Sequence, residues 1–186
     1  LEDIEGALFN SANIEQNRIE VTPDMQRIVI AVDPAVTANS NSDETGIVVA
    51  GRGIDNHFYI LEDKSGVFSP DVWIKRAIEL YYKFDADRIV CEVNNGGDLI
   101  EKLLRVQDVN VPYTSVRATR GKMLRAEPIS ALYEQGKVHH VGYFKELEEQ
   151  MCSYTPDTIK SPDRLDSLVW GITSLMNSGR AIFRIS

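Results

Sequence analysis

The sequence predicts an α/β domain: a mixed β-sheet, antiparallel meander plus parallel strands, with helices on both faces. Three observations predict it. Apolar runs of strand length recur along the chain, and two of them, Arg27–Asp33 and Arg88–Glu92, end in an acid. The first three runs follow one another with no helix between them, the pattern of an antiparallel meander. After them, strands alternate with stretches of helical period, which is how parallel strands are joined.

Residues 1–26 are polar and weakly patterned, with Ile4, Leu8 and Phe9 fitting a helical turn or two. They read as a linker or arm from a preceding domain. Arg27–Asp33 is continuously apolar up to its final acid, as expected of a central strand buried on both faces. Pro34–Glu44 is rich in Asn and Ser and reads as a loop. Thr45–Gly51 and His57–Glu62 are the second and third strands, separated by a turn at Asp55 and Asn56. Ser69 then Pro70 signals a helix start, with Ser as N-cap and Pro in the first turn. Trp73, Ala77, Leu80 and Phe84 continue it at helical spacing.

Arg88–Glu92 is the fourth strand. Gly96 and Gly97 break the chain before a helix over Asp98–Val106. Val111–Val116 is a fifth strand, and Lys122–Gln135 a helix containing Pro128, a residue that kinks helices. Val138–Val141 is a short extended piece, Phe144–Tyr154 a helix, and Asp163–Met176 the last helix. The organisation is one domain, 27–186, preceded by the arm.

A length of 186 residues with 43% hydrophobic content suits one folded domain with its own core. No apolar run approaches the roughly 20 residues that span a bilayer. The chain begins with Leu rather than Met, shows no signal peptide, and reads as a piece of a longer protein. Cys91 and Cys152 sit in no CxxC or Cys/His cluster, so buried, reduced thiols in a cytoplasmic protein are expected rather than zinc or a disulfide framework. The net charge of −8 opposes non-specific DNA binding. A DNA-directed activity would need metal ions to absorb some acidic charge, and a local basic patch or linked domain to hold the duplex.

Certain acids stand where an acid is costly. A carboxylate in or beside a core strand loses several kcal/mol of hydration unless it is paired or metal-bound. Asp33 and Glu92 end two strands that would be parallel neighbours, so their side chains would converge at the carboxyl ends. Asp163 and Asp166 open the last helix, whose stripe is Leu165, Leu168, Val169, Ile172 and Met176. At roughly 100° per residue, Asp166 falls at the stripe's edge and Asp163 further round, and their spacing of three gives them one face. Each acid also has a structural reading: Asp33 and Glu92 as turn caps, Asp163 as an N-cap, Asp166 as an ion-pair partner of Arg164, Arg125 or a surface Lys. Converging carboxylates without nearby His or Cys suit hard cations such as Mg²⁺ or Mn²⁺. Two such ions can activate water on one side of a phosphodiester and stabilise the leaving oxygen on the other.

The order of strand-end Asp, strand-end Glu and late-helix Asp-x-x-Asp resembles the RNase H-like nuclease superfamily. Longer stretches resemble the C-terminal nuclease of phage DNA-packaging terminase large subunits: Asp33-Pro34, Asp43–Val49, Glu92–Asp98, Arg125–Pro128, Leu132–Gly136, Val138–Gly142 and Ser161–Trp170. The similarity runs from about Arg27 to Met176. It implies an RNase H-like fold and a metal-dependent endonuclease that cuts concatemeric viral double-stranded DNA during packaging, using two Mg²⁺ or Mn²⁺ ions. It further implies Asp33, Glu92 and Asp166 as ligands, Asp163 as a further ligand or water-positioning group, and Asp43 as a residue behind the ligands. It implies a packaging ATPase domain on the same polypeptide, to which residues 1–26 would be the link. No GxxxxGK[ST] phosphate loop occurs in this chain. The small terminase subunit and the portal are the implied partners, no membrane is involved, and the infected host's cytoplasm is the implied location.

Arg117, Arg120, Lys122 and Arg125 cluster between a strand and a helix start, and are the candidate DNA-phosphate patch, an ordinary solvated face being the alternative. His139 and His140 are adjacent on an extended piece, so at most one faces the site. Trp73, Tyr81 and Trp170 lie on apolar stripes and read as core. Asn94–Gly97 is a loop beside Glu92. A junction resolvase or transposase-like nuclease shares the order of acids but lacks the longer stretches. A sugar-kinase-like nucleotide binder would need glycine-rich phosphate turns in two lobes. A catalytically silent docking module of the motor would need no converging acids.

Overall fold

A computed structural model describes residues 2–35, 43–94 and 96–178. Helix α1 (Ser11–Gln16) precedes strands β1 (Met25–Asp33), β2 (Gly46–Gly53) and β3 (Phe58–Asp63). There follow α2 (Pro70–Lys83), β4 (Arg88–Glu92), α3 (Gly97–Gln107), β5 (Tyr113–Val116), α4 (Lys122–Glu134), β6 (Val138–His140), α5 (Lys145–Ser153) and α6 (Asp163–Ser178). The strands form one sheet in the order β5-β4-β1-β2-β3-β6. The β1–β2–β3 meander is antiparallel, while β4 on β1, β5 on β4 and β6 on β3 are parallel. This is the expected mixed sheet of the RNase H-like fold.

The continuous apolar run of β1 is explained by its two covers. Ile30 and Val32 pack with Ile47, Val49, Ile89 and Cys91 under α2 and α3. Val29 points the other way, joining Val48, Ala50, Ile60 and Val90 under α4, α5 and α6. Helices therefore cover both faces. Trp73 lies in the first core and Tyr81 packs at its edge. No helix among the described residues is long and apolar enough to cross a membrane.

Small differences from the expected boundaries have physical causes. Strand β5 starts at Tyr113 rather than Val111, because Pro112 has no N–H for the ladder. The Pro112 carbonyl still accepts a hydrogen bond from the Ile89 amide at 2.9 Å. Ser69 occupies the N-cap position of α2 with Pro70 after it, but its side chain makes no capping bond. Helix α4 continues through Pro128. Most of the expected loop after Asp33, residues 36–42, and Asn95 of the loop after Glu92 lie outside the described residues.

The segment before β1 is packed against the rest. Phe9 and Ile14 are buried in the α4–α5–α6 core, and Phe9 meets Tyr133 edge-on at 5.4 Å. The Ile4 and Leu8 amides donate to the Cys152 and Tyr154 carbonyls, and the Ile19 amide to His140.

Candidate metal centre

Strand pairing sets the first two acids. The β1–β4 register runs to Val32 opposite Cys91, so Asp33 and Glu92 lie one residue further, side by side at the carboxyl ends. Val32 and Cys91 face the α2–α3 core, and side chains alternate along a strand, so Asp33 and Glu92 project toward α4 and α6.

Helix α6 brings the other two. Its seam against the sheet is built of small residues: a Cβ on Gly171 would stand 3.2 Å from Ala50 Cβ and 3.3 Å from Ala31 Cβ. At the helix start, a Cβ on Gly46 would overlap the Asp163 carbonyl oxygen and Ser167 Oγ. Gly46 thus lets the first turn of α6 rest directly on β2. That turn is also capped from α5, since Gln150 Oε1 accepts from the amides of Arg164 at 3.1 Å and Leu165 at 3.3 Å. Arg164 ties the same turn to Glu44 at 3.2 Å and Asp63 at 2.7 Å.

The result is that carboxylate oxygens of Asp33, Asp163 and Asp166 lie within 4.8 Å of one another. Asp33 is 8% exposed and Asp166 4%, so water screens their repulsion poorly. Burial first, then the charges of Glu92, Asp166 and Asp163, push the Asp33 carboxyl well above the usual range. Burial also raises Asp163, to about 6, against a hydrogen bond from Ser161 and the charge of Lys122. Burial raises Asp166 despite its hydrogen bond from Lys122.

The sequence groups Lys122 with the arginines, but the fold does not. Its Nζ instead pairs with Asp166 and bonds Ser161 Oγ. Burial lowers its pKa, but the hydrogen bond to Asp166 and the nearby aspartates outweigh that and hold it raised. Glu92 lies outside the three-aspartate group. Its Oε2 accepts from the Trp170 indole N–H at 2.9 Å, and its Oε1 is 3.9 Å from Arg125 Nη1, an ion pair too long for a hydrogen bond. Trp170 is therefore part of the site's wall as well as of the core.

Arg117, Arg120 and Arg125 line a cavity of about 530 Å³ beside Glu92, with Trp170 and Ile129 in its wall. Arg117 is fixed there by donating to the Asn94 carbonyl at 2.6 Å. Asp43 is partly buried. The histidines are elsewhere, on the far edge of the sheet. His140 is fully buried between Tyr133 Oη at 2.7 Å and Glu148 at 3.0 Å, and His139 stacks on Tyr59. Neither reaches the acids. Both cysteines are buried free thiols, and burial raises Cys152 to about 12.

The donor set suits a hard divalent cation. Three clustered carboxylates with no nitrogen or sulfur ligand among them present oxygen alone. Four carboxylates (Asp33, Glu92, Asp163, Asp166) against one ammonium and one guanidinium leave a formal charge of −2 in a poorly hydrated place. A divalent ion neutralises that charge. Sequence reasoning missed Trp170, although it follows Asp166 by four and so shares its helical face. It also missed Glu44, Asp63 and Gln150, which meet Arg164 only through tertiary folding.

The comparisons agree with this architecture. A family model for the terminase RNase H-like domain matches residues 30–175. The large terminase nuclease of the thermophilic phage G20c superposes with a TM-score of 0.64 at 17% identity, covering 90% of this chain and 98% of that one. The P22 large terminase nuclease domain gives 0.68 at 15% identity, covering 92% and 93%. The large terminase of a second thermophilic bacteriophage gives 0.67 at 11% identity, where 94% of this chain spans 46% of that one. The G20c nuclease has been solved with magnesium, zinc and cobalt bound. No curated protein sequence matches this chain.

Proposed function

The chain belongs to the terminase RNase H-like domain family, and on that premise we propose that it is a Mg²⁺- or Mn²⁺-dependent endonuclease that cuts concatemeric viral double-stranded DNA during packaging. The observation that carries the proposal is the convergence of Asp33, Asp163 and Asp166 within 4.8 Å at the end of the sheet. Such a buried acidic cluster is unfavourable without a cation.

In this reading Asp33, Asp163 and Asp166 hold one cation, and Asp33 with Glu92 would hold a second. Bound there, the two ions supply an activated water and stabilise the leaving oxygen of the phosphodiester. A second cation is best matched once a scissile phosphate adds its negative charge. Lys122 offsets part of the aspartates' repulsion and orients Asp166 through its hydrogen bond. Arg117, Arg120 and Arg125 hold neighbouring phosphates in the cavity, supplying the basic patch that an acidic chain needs. Asp43 acts from behind the ligands. Residues 1–26 lead in from a packaging ATPase domain and pack onto the nuclease domain at 27–186 through Phe9 and Ile14. In the whole motor, in the host cytoplasm, that linkage raises the local concentration of DNA at a weakly binding acidic domain, and the small subunit and portal complete the assembly.

The test is nicking and linearisation of supercoiled plasmid at low salt with Mg²⁺, Mn²⁺ or EDTA, beside Asp33→Asn and Asp166→Asn. Metal-dependent cutting that disappears in both variants, with circular dichroism unchanged, is the expected result. Equal cutting by the variants would place the chemistry elsewhere.

A further inference from the structure

Glu92 differs from the three aspartates in its surroundings. Its carboxylate is gripped from two helices: by the Trp170 indole N–H of α6 at 2.9 Å and by the Arg125 guanidinium of α4 at 3.9 Å. The two holders also grip each other, since the Arg125 guanidinium carbon stands 4.7 Å from the Trp170 ring centroid. The side chains of Arg125 and Glu92 are 11% and 10% exposed, and Trp170 is 9% exposed. Arg125 Nε and Nη1 are buried with no hydrogen-bond acceptor among the described residues. Arg125 is therefore held by stacking and charge rather than by a hydrogen bond to Glu92.

We propose that Trp170, with Arg125 behind it, is a positioning residue that fixes the Glu92 carboxylate for cation binding. The inference rests on the metal-site reading above. Its chemistry is that of an outer partner to a ligand. An ionised carboxylate has about four lone-pair positions. The indole occupies one on Oε2 and leaves the others free of a hydrogen-bond donor among the described residues. An indole N–H donates only, does not titrate near neutral pH and offers no lone pair to a metal, so it orients Glu92 without competing for the ion. Trp170 is carried on the same helix as Asp163 and Asp166, so one rigid element sets both the aspartates and the orientation of Glu92. Arg125 adds a positive charge beside Glu92, and its planar stack on the ring limits where that charge can sit.

The test is isothermal titration of Mn²⁺ into the whole chain without DNA, beside plasmid cutting as a function of Mn²⁺ concentration. Outer partners of metal ligands typically contribute about 10- to 100-fold in affinity. Trp170→Phe keeps an aromatic ring under Arg125 and removes the donor. It is expected to weaken Mn²⁺ binding and raise the Mn²⁺ midpoint of cutting by about that factor, with cutting recovered at saturating Mn²⁺. Arg125→Lys, which keeps the charge and loses the stack, is expected to weaken Mn²⁺ binding in the DNA-free titration in the same direction. It provides the reading if Trp170→Phe does not fold. Trp73→Phe, in the other core, is expected to leave the isotherm unchanged. A wild-type isotherm for a folded Trp170→Phe, or a loss of cutting that saturating Mn²⁺ does not restore, overturns the proposal. Asp33→Asn separates the two readings. If it abolishes binding while Trp170→Phe does not weaken it, only the positioning role fails. If Asp33→Asn binds Mn²⁺ normally, the metal site itself is misplaced.

Discussion

Asp33 stands where its own ionisation is disfavoured, with burial and three neighbouring acids all acting against the charged form. The same holds for Asp163, raised from 3.8 to about 6. A group whose pKa is higher in the folded state contributes stability that is full below its unfolded value and lost as pH rises through the folded value. For Asp163 the window is therefore pH 3.8 to about 6, and Asp33 and Asp166 shift in the same sense. Metal binding has the opposite sign, because the cation requires deprotonated carboxylates. The rise in Tm produced by Mg²⁺ or Mn²⁺ should thus be larger at pH 7.5 than at pH 5.5, checked by thermal scans at matched ionic strength. An equal rise at both values would mean that the ion binds elsewhere. These acids are legible in the sequence because each interrupts or borders an apolar pattern. The pairing of Lys122 with Asp166 is legible only as one option, a surface Lys among other partners for Asp166, since it joins residues 44 positions apart.

The element that decides the site is α6, and its depth on the sheet depends on residues with little side chain. Gly46→Ala would push a methyl group into the Asp163 carbonyl and Ser167 Oγ. It should cost about 1–3 kcal/mol, as overpacking does, and weaken Mn²⁺ binding by displacing Asp163 and Asp166 from Asp33. Denaturant unfolding and Mn²⁺ titration on the same variant check both parts, and an unchanged affinity would show that α6 is not held by this contact. The strands and helices themselves are readable from apolar period and from Pro and Gly punctuation. The antiparallel meander and the parallel approach of β1 and β4 are readable from successive strands followed by βα alternation, whereas the parallel pairing of β6 with β3 is not. What the pattern does not carry is close approach: a glycine at the start of a strand looks the same whether or not a helix rests on it. The clamp of Arg164 on Glu44 and Asp63, and the Gln150 cap, likewise appear only when β3, α5 and α6 meet.

At the scale of the whole molecule, the segment before β1 contributes to the core it precedes. Phe9 is 2% exposed and Arg18 pairs with the buried Glu148. Burial acts to raise the Glu148 carboxyl, but hydrogen bonds from Arg18, His140 and the Phe144 amide outweigh it and hold the pKa at about 2. Phe9→Ala should therefore destabilise the chain by about 3–5 kcal/mol, as truncation of a buried aromatic does, measured by denaturant unfolding. A loss below about 1 kcal/mol, the typical size for a point substitution, would show that this segment is not part of the folding unit. Its packing is hard to see in the sequence because Ile4, Leu8, Phe9 and Ile14 sit in a weakly patterned stretch that shows at most a helical turn or two.

The proposed chemistry requires that Asp33, Asp163 and Asp166 hold a divalent cation. Anomalous diffraction from crystals grown with Mn²⁺ tests it most directly. An anomalous peak is expected within coordination distance of these three carboxylates. Mn²⁺ peaks only at other surfaces, in crystals of a preparation that cuts DNA with Mn²⁺, would contradict it.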